Sequence, residues 1–265
     1  MTPHYHYAVA QIFIPTFLIP LFLLMVGCQS DRPEGTAQIT VAAAADLVPA
    51  FEELARAYEA QTETRVVYSF GSTGMLAQQI ANGAPVDVFA AANLAYVTQL
   101  EEQGLILPDT KALYARGRIV IWTSKEARFK PRHLQDLMSS EVERIAIANP
   151  DHAPYGIAAR QALESANMWA TAQSKIIYAD NVRQAMQFAA TGNADVAIIA
   201  LSLSLSVNGD SVQIPEEMHQ PLNQALAVIR STEHQAEARS FVNFVSSSTG
   251  QAIMAKHGFT RPDPR

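Results

Sequence analysis

Residues 65–91 read RVVYSFGSTGMLAQQIANGAPVDVFAA, and the order of patterns in this stretch sets the fold class. Arg65–Phe70 is rich in β-branched and aromatic residues and predicts a strand. Gly71-Ser72-Thr73-Gly74 is a turn. Met75–Ala81 carries a helical pattern, and Val86–Ala91 is again a short apolar run. Strand, turn, helix and strand in succession argue for parallel pairing.

Working outward, the same alternation continues. Further strands are predicted at Ile39–Ala44, Arg118–Thr123, Arg144–Ala148, Lys175–Tyr178, Asp195–Ala200 and Gln224–Ile229. Several are almost wholly apolar, such as IVIW and VAIIA, which suits strands covered on both faces. Helices are predicted at Pro49–Gln61, Leu94–Gln103, Ile157–Ala166, Val182–Thr191, Gln235–Ser246 and Thr249–His257. Gly209–Met218 reads as a loop with a short strand. Two extended segments, Arg116–Trp122 near mid-chain and Leu222–Ser231 near the end, can each cross between lobes. The expected fold is α/β with two lobes, mainly parallel sheets and two hinge crossings. Lobe 1 is expected over 38–117 plus 229–265, and lobe 2 over 118–228.

The amino end places this body outside the cytoplasm. Ile12–Val26 reads IFIPTFLIPLFLLMV with no charged side chain, followed by Gly27 and the chain's single cysteine, Cys28. An apolar run closed by small residues is an export signal. A cysteine at that point resembles the bacterial lipoprotein signal, with Cys28 as the lipid-bearing residue. Residues 1–28 are then a signal peptide and 29–37 a polar linker. An uncleaved anchor is the alternative. Pro15, Pro20 and a run shorter than the roughly 20 residues that span a bilayer count against it.

Composition excludes several classes. The formal charge of −6, without a basic cluster, makes nucleic acid a poor partner. One cysteine allows no intrachain disulfide and no Cys metal site. The seven histidines form no H-x-x-x-H pair, so a metal site is not expected. The chain beyond the signal, about 235 residues, can bury one large core or two modest ones.

The chemistry sits where strands end and helices begin. Such junctions recur at Ala43–Pro49, Ser69–Leu76, Asn149–Ile157 and Tyr178–Arg183. A helix start leaves backbone N–H groups unpaired, with a partial positive charge from the aligned peptides. That makes an anion site without a cationic side chain. Gly71 and Gly74 let backbone approach a ligand closely, and Ser72 and Thr73 can cap the helix or donate hydroxyl hydrogen bonds. In α/β folds, ligands gather beyond the carboxyl ends of strands, where these turns lie. Each turn alone is most simply an ordinary helix cap. Their order and spacing carry the argument.

The runs ITVAAAADL, FGSTGMLAQQIANGAPVDVFAAAN, NPDHAPYGIAARQAL, DNVRQAM, ADVAIIALS and KHGFTRP, in order from Ile39 to Pro262, resemble the periplasmic molybdate-binding proteins. These are the solute receptors of molybdate ABC importers, with a type II periplasmic-binding-protein fold. The resemblance implies capture of molybdate or tungstate in an interlobe cleft and delivery to a permease. It implies a monomer tethered at the extracytoplasmic membrane face, with no cofactor and no catalysis. It implies ligand contacts at Asp46, at Ser72 and Thr73, at the Tyr155 N–H, at the Val182 N–H, and around Ala200 or Ser202. Two positions depart from the family pattern. Asp46 stands where Ser or Asn is usual, and Ala200 where a tyrosine is frequent.

A carboxylate facing a dianion is repulsive. The expectation is that the Asp46 side chain caps its own helix and leaves only its N–H to the ligand. Two alternatives remain open: Asp46 is protonated, or it accepts a proton carried by the ligand. The last would suit phosphate or a phosphonate. A more distant alternative is an exported serine hydrolase using Ser72 or Thr73, although G-S-T-G lacks the G-x-S-x-G spacing of a nucleophile elbow.

Overall fold

Short runs of small and β-branched residues become the buried strands of two sheets. The computed structural model describes residues 37–262, with residues 1, 2 and 4. The apolar run Ile12–Val26, Cys28 and the linker up to residue 36 lie outside the described residues. The elements below all belong to one compact unit, Thr36–Arg265.

The first sheet holds β1 (Ala37–Ala44), β2 (Thr64–Gly71), β3 (Val88–Ala91), β4 (Ala112–Gly117) and β10 (Leu222–Val228), in the order β2-β1-β3-β10-β4. The second holds β5 (Ile119–Ser124), β6 (Ile145–Ala148), β7 (Ile176–Ala179), β8 (Val196–Ala200) and β9 (Gly209–Gln213), in the order β7-β6-β8-β5-β9. Every residue of β3, β6 and β8 is buried. This explains their unbroken apolar sequences VFAA, IAIA and VAIIA.

Direction within the sheets follows one rule. β1 is parallel to β2 and β3, and β6 is parallel to β7 and β8. β10 is antiparallel to both its neighbours, and so is β5. Each sheet therefore has four strands running one way and one reversed strand, and the reversed strand is the one that follows a crossing. The chain passes from β4 to β5 at Gly117-Arg118, and from β9 to β10 through residues 214–221.

The second crossing corrects the expected lobe boundary. The expected lobe 2 includes Leu222–Val228, but this strand pairs with β3 and β4 of the first sheet. The run LNQALAVI is apolar because it is interior to that sheet. The polar, proline-containing IPEEMHQP before it does the crossing. The mid-chain segment also resolves differently: ALYARG is a strand of its own, β4, and the crossing narrows to the Gly117-Arg118 junction.

The helices are α1 (Val48–Glu59), α2 (Thr73–Ala81), α3 (Leu94–Glu102), α4 (Pro154–Ser165), α5 (Trp169–Ala172), α6 (Val182–Ala190), α7 (Leu201–Ser204), α8 (Gln235–Ser246) and α9 (Ser248–Lys256). The last two long helices return to the first sheet. Phe241 of α8 packs edge-on against Tyr58 and Phe51 of α1, with ring centroids 5.4 and 6.3 Å away. Removing this fully buried ring leaves a cavity that the surrounding rings cannot fill. Phe241→Ala is therefore expected to lower unfolding free energy by about 3–5 kcal/mol, read as a lower urea midpoint at unchanged slope.

Candidate functional site

Four of the strand-to-helix junctions meet at one place. Asp46, Ser72, Thr73, Tyr155 and Val182 all line a single small pocket. A wider groove around Leu113 and Asn223 is lined by no buried residue. The small pocket is the one where backbone donors and buried polar side chains converge.

Each junction supplies donors for a local reason. At α6, the Asn181 side chain accepts from the N–H groups of Arg183 and Gln184. It passes over Val182, whose N–H is left without a helical partner. At α4, Pro154 occupies the first turn and contributes no N–H. The first helical bond is made by Ile157 to the Ala153 carbonyl, so Tyr155 and Gly156 are the open donors. At α2, Leu76 makes the first helical bond to the Ser72 carbonyl.

The two hydroxyls at α2 differ. Ser72 Oγ lies 2.7 Å from the His152 carbonyl and 2.8 Å from His152 Nδ1. A carbonyl can only accept, so the Ser72 proton goes there and Nδ1–H donates back. This arrangement satisfies the pair without activating Ser72 as a nucleophile. Thr73 Oγ1 instead accepts from the Ala92 N–H at 3.1 Å, which leaves its own proton to donate. Neither hydroxyl caps the helix.

Asp46 does not cap its helix either, which corrects the expectation. Residues Ala45–Leu47 form a short 3-10 turn before α1, and no side chain caps it. The Asp46 carboxylate turns to Tyr155 and Gln224. Its Oδ2 accepts from the Tyr155 hydroxyl at 3.0 Å and from Gln224 Nε2 at 2.6 Å. Gln224 Oε1 in turn accepts from the Tyr114 hydroxyl at 2.8 Å. Oδ1 is buried without a hydrogen-bond partner.

Burial lifts the Asp46 carboxyl from the usual 3.8 to about 6, against smaller pulls from Gln224, Tyr155 and its own N–H. Burial also holds the Tyr155 and Tyr114 phenols well above their ordinary value, and the Asp46 charge adds to it.

These bonds join the two halves of the fold. Tyr155 belongs to the second-sheet side, Asp46 and Gln224 to the first. The Gly74 N–H donates to the His152 carbonyl at 2.9 Å, and Ser202 Oγ donates to the Asp46 carbonyl at 2.8 Å. Gly117 and Gly74 are required by this closure. A Cβ at Gly117 would stand 2.1 Å from the Tyr155 hydroxyl oxygen, and one at Gly74 2.6 Å from the His152 carbonyl oxygen.

Ala200 and Ser202 do not line the pocket. Ala200 is the buried last residue of β8, and Ser202 reaches only the backbone behind Asp46. Gln224 and Tyr114 are absent from the sequence reading of the site. The available signal was a glutamine inside the apolar run LNQALAVI, fully buried in a central strand, since a buried amide needs partners.

A two-lobed α/β body with an interlobe cradle of neutral donors defines a ligand-binding receptor. Residues 39–260 match the bacterial extracellular solute-binding protein family, and the chain belongs to that family. The molybdate-binding protein ModA of Azotobacter vinelandii is 30% identical over 231 residues, covering 84% of this chain and 90% of its own. The putative ABC transporter substrate-binding lipoprotein YvgL of Bacillus subtilis is 27% identical over 257 residues, covering 94% and 97%. The solved structure of the Azotobacter vinelandii periplasmic molybdate-binding protein superposes with TM-score 0.80 at 32% identity, covering 85% of this chain and 100% of that one.

The Asp46 environment yields a stability prediction. The folded state favours the protonated carboxyl, so the native chain holds a proton that the unfolded chain releases above about pH 4. This contribution to stability is complete below the unfolded value and lost as pH rises through about 6, amounting to about 3 kcal/mol. Asp46→Asn keeps an oxygen for Tyr155 and Gln224 but cannot ionise. It is expected to melt several degrees above wild type at pH 8, with the difference vanishing near pH 4, in ligand-free thermal melts.

Proposed function

We propose that this chain is the solute-binding component of an ABC importer, capturing molybdate or tungstate as a monomer in the pocket between its lobes. Lobe 1 comprises residues 37–117 and 222–262, and lobe 2 residues 118–221. The observation that carries the reading is the convergence of the junctions before α1, α2, α4 and α6 on one small pocket. Helix starts bind anions through N–H groups and the peptide dipole. A hydrogen bond to a charged group contributes about 1.5–3 kcal/mol, so a handful of such donors suffices for tight binding. The names of the Azotobacter relative and solved structure direct the choice of oxyanion.

In this reading the ligand contacts are the N–H groups of Tyr155 and Val182, the Thr73 hydroxyl and N–H, and Asp46. Ser72 positions the second lobe through His152 rather than meeting the ligand. Function is closure around the anion, which shifts the population toward the form the permease recognises. The export signal, Cys28 and the lipoprotein relative support a chain held at the extracytoplasmic membrane face by a lipid on Cys28.

Calorimetry on the purified protein with molybdate, tungstate, sulfate and phosphate tests the assignment. One-to-one binding of molybdate or tungstate, tighter than the other two, is expected. No heat with any of the four would remove the proposal, and preferential binding of phosphate would move it to a protonated oxyanion.

Gly74→Ala probes closure separately. Alanine suits the first turn of α2 better than glycine by up to about 1 kcal/mol, but its Cβ would collide with the His152 carbonyl in the closed form. Molybdate affinity is expected to fall at least about tenfold, equivalent to about 1.4 kcal/mol, read by calorimetry against the wild type.

A further inference from the structure

We propose that Asp46 enters the bound state as a neutral carboxylic acid, its Oδ1–H donating to an oxygen of the captured dianion, so that capture takes up one proton from solvent. The inference rests on the oxyanion reading above and adds its proton balance.

The geometry separates the two carboxyl oxygens. Oδ2 already accepts two hydrogen bonds, from Tyr155 and Gln224. Oδ1 belongs to a residue that lines the pocket and is fully buried, yet it has no partner. A buried polar atom without a partner calls for an explanation. As an ionised oxygen, Oδ1 would bring negative charge to a site shaped for negative charge. As O–H it becomes a donor like the amides around it. The acid then accepts on one oxygen and donates from the other, which uses both.

The surroundings support the neutral form. The titratable groups facing the carboxyl are Tyr155 from α4 and, through Gln224, Tyr114 from β4. Both phenols are held neutral and act as donors, to Oδ2 and to Gln224 Oε1. α7 presents Ser202, which donates to the Asp46 carbonyl, and α6 presents Asn181 and Val182, which carry no charge. His152, ahead of α4, is engaged with Ser72. The groups that act on the carboxyl include no cation. A bound dianion raises the proton affinity of Asp46 further.

The proton balance has a definite sign. Below about pH 6 the free protein already carries the proton, so affinity for molybdate is level. Above it, the proton must be taken up on binding, and affinity falls by up to about tenfold per pH unit.

Isothermal titration of molybdate into the protein at pH 5 and pH 7.5, each in two buffers of different ionisation enthalpy, reads this directly. Uptake approaching one proton is expected at pH 7.5 and much less at pH 5. Asp46→Asn is expected to bind with no uptake and with a level pH profile, because its amide donates at every pH. Wild-type binding without proton uptake at pH 7.5 overturns the inference and leaves the oxyanion reading standing. Uptake undiminished in Asp46→Asn, or a folded variant that binds no molybdate at pH 5, also overturns it. A wild type that binds none of the four anions overturns both. Should the variant fail to fold, the wild-type titration alone decides.

Discussion

The Tyr155 hydroxyl makes its bonds on the far side of the cleft from its own backbone, and the arrangement of the site depends on that crossing. Tyr155 rises from the first turn of α4, on the second sheet. Its phenol reaches Asp46 and Gln224 on the first sheet. The same residue therefore offers its N–H at the pocket and ties the lobes through its side chain. All three partners are buried, so these hydrogen bonds form away from competing water. Gly117 makes the geometry possible, because any side chain there would occupy the space of the phenol oxygen. A glycine in the β4–β5 connection thus has a packing reason as well as a hinge position.

The direction of the strands explains why helix starts converge at all. In each sheet the reversed strand, β10 or β5, is the one entered from a crossing. The other four strands keep a common direction, and the carboxyl ends of β1, β2, β6 and β7 lead into the turns that line the pocket. Two such sheets joined by two crossings bring the turns after β1 and β2 opposite those after β6 and β7. The convergence of helix starts on one pocket is a consequence of this topology, with side chains adjusting it. Val182 illustrates the point: its N–H is open because Asn181 satisfies the next two positions, and Asn181 is there as an ordinary helix cap.

Periodicity in the sequence was enough to read the buried strands and the long helices. VFAA, IAIA and VAIIA are unbroken apolar runs, although the expected strands start one or two residues early, at Val86, Arg144 and Asp195, and Gln235–Ser246 shows a strong amphipathic stripe. The crossings were harder. Arg116–Trp122 reads as one extended segment because the end of β4 and the start of β5 abut at Gly117-Arg118 with no loop between them. LNQALAVI looks like a connector by position but is a sheet interior by burial. For the pocket, the junctions that meet there were legible, since strand ends and helix starts follow from apolar pattern, caps and prolines. The roles of side chains were not. Ser72 and Asp46 both read as caps, yet each bonds a residue across the cleft, 80 or more positions away along the chain. Local pattern carries no record of such partners. A buried glutamine in β10 is the one trace they leave.

The electrostatics of the cradle set what it can discriminate. The chain carries a formal charge of −6, so long-range attraction does not steer an anion inward, and recognition must act at contact. Amide donors have fixed direction and fixed protonation. They reward an oxyanion of the right size with several short bonds and offer a loose counter-ion nothing. A lysine in the same place would attract any anion and would do so at a distance. Among the titratable residues lining the pocket, Tyr155 is held neutral far above physiological pH, and Asp46 alone changes charge near neutrality. A carboxyl at this wall makes one donor conditional. It is present when the proton is present, and it becomes a repulsive charge when the proton leaves. The burial that favours the neutral acid also sets the pH near which the exchange happens, so folding and ligand capture draw on the same proton.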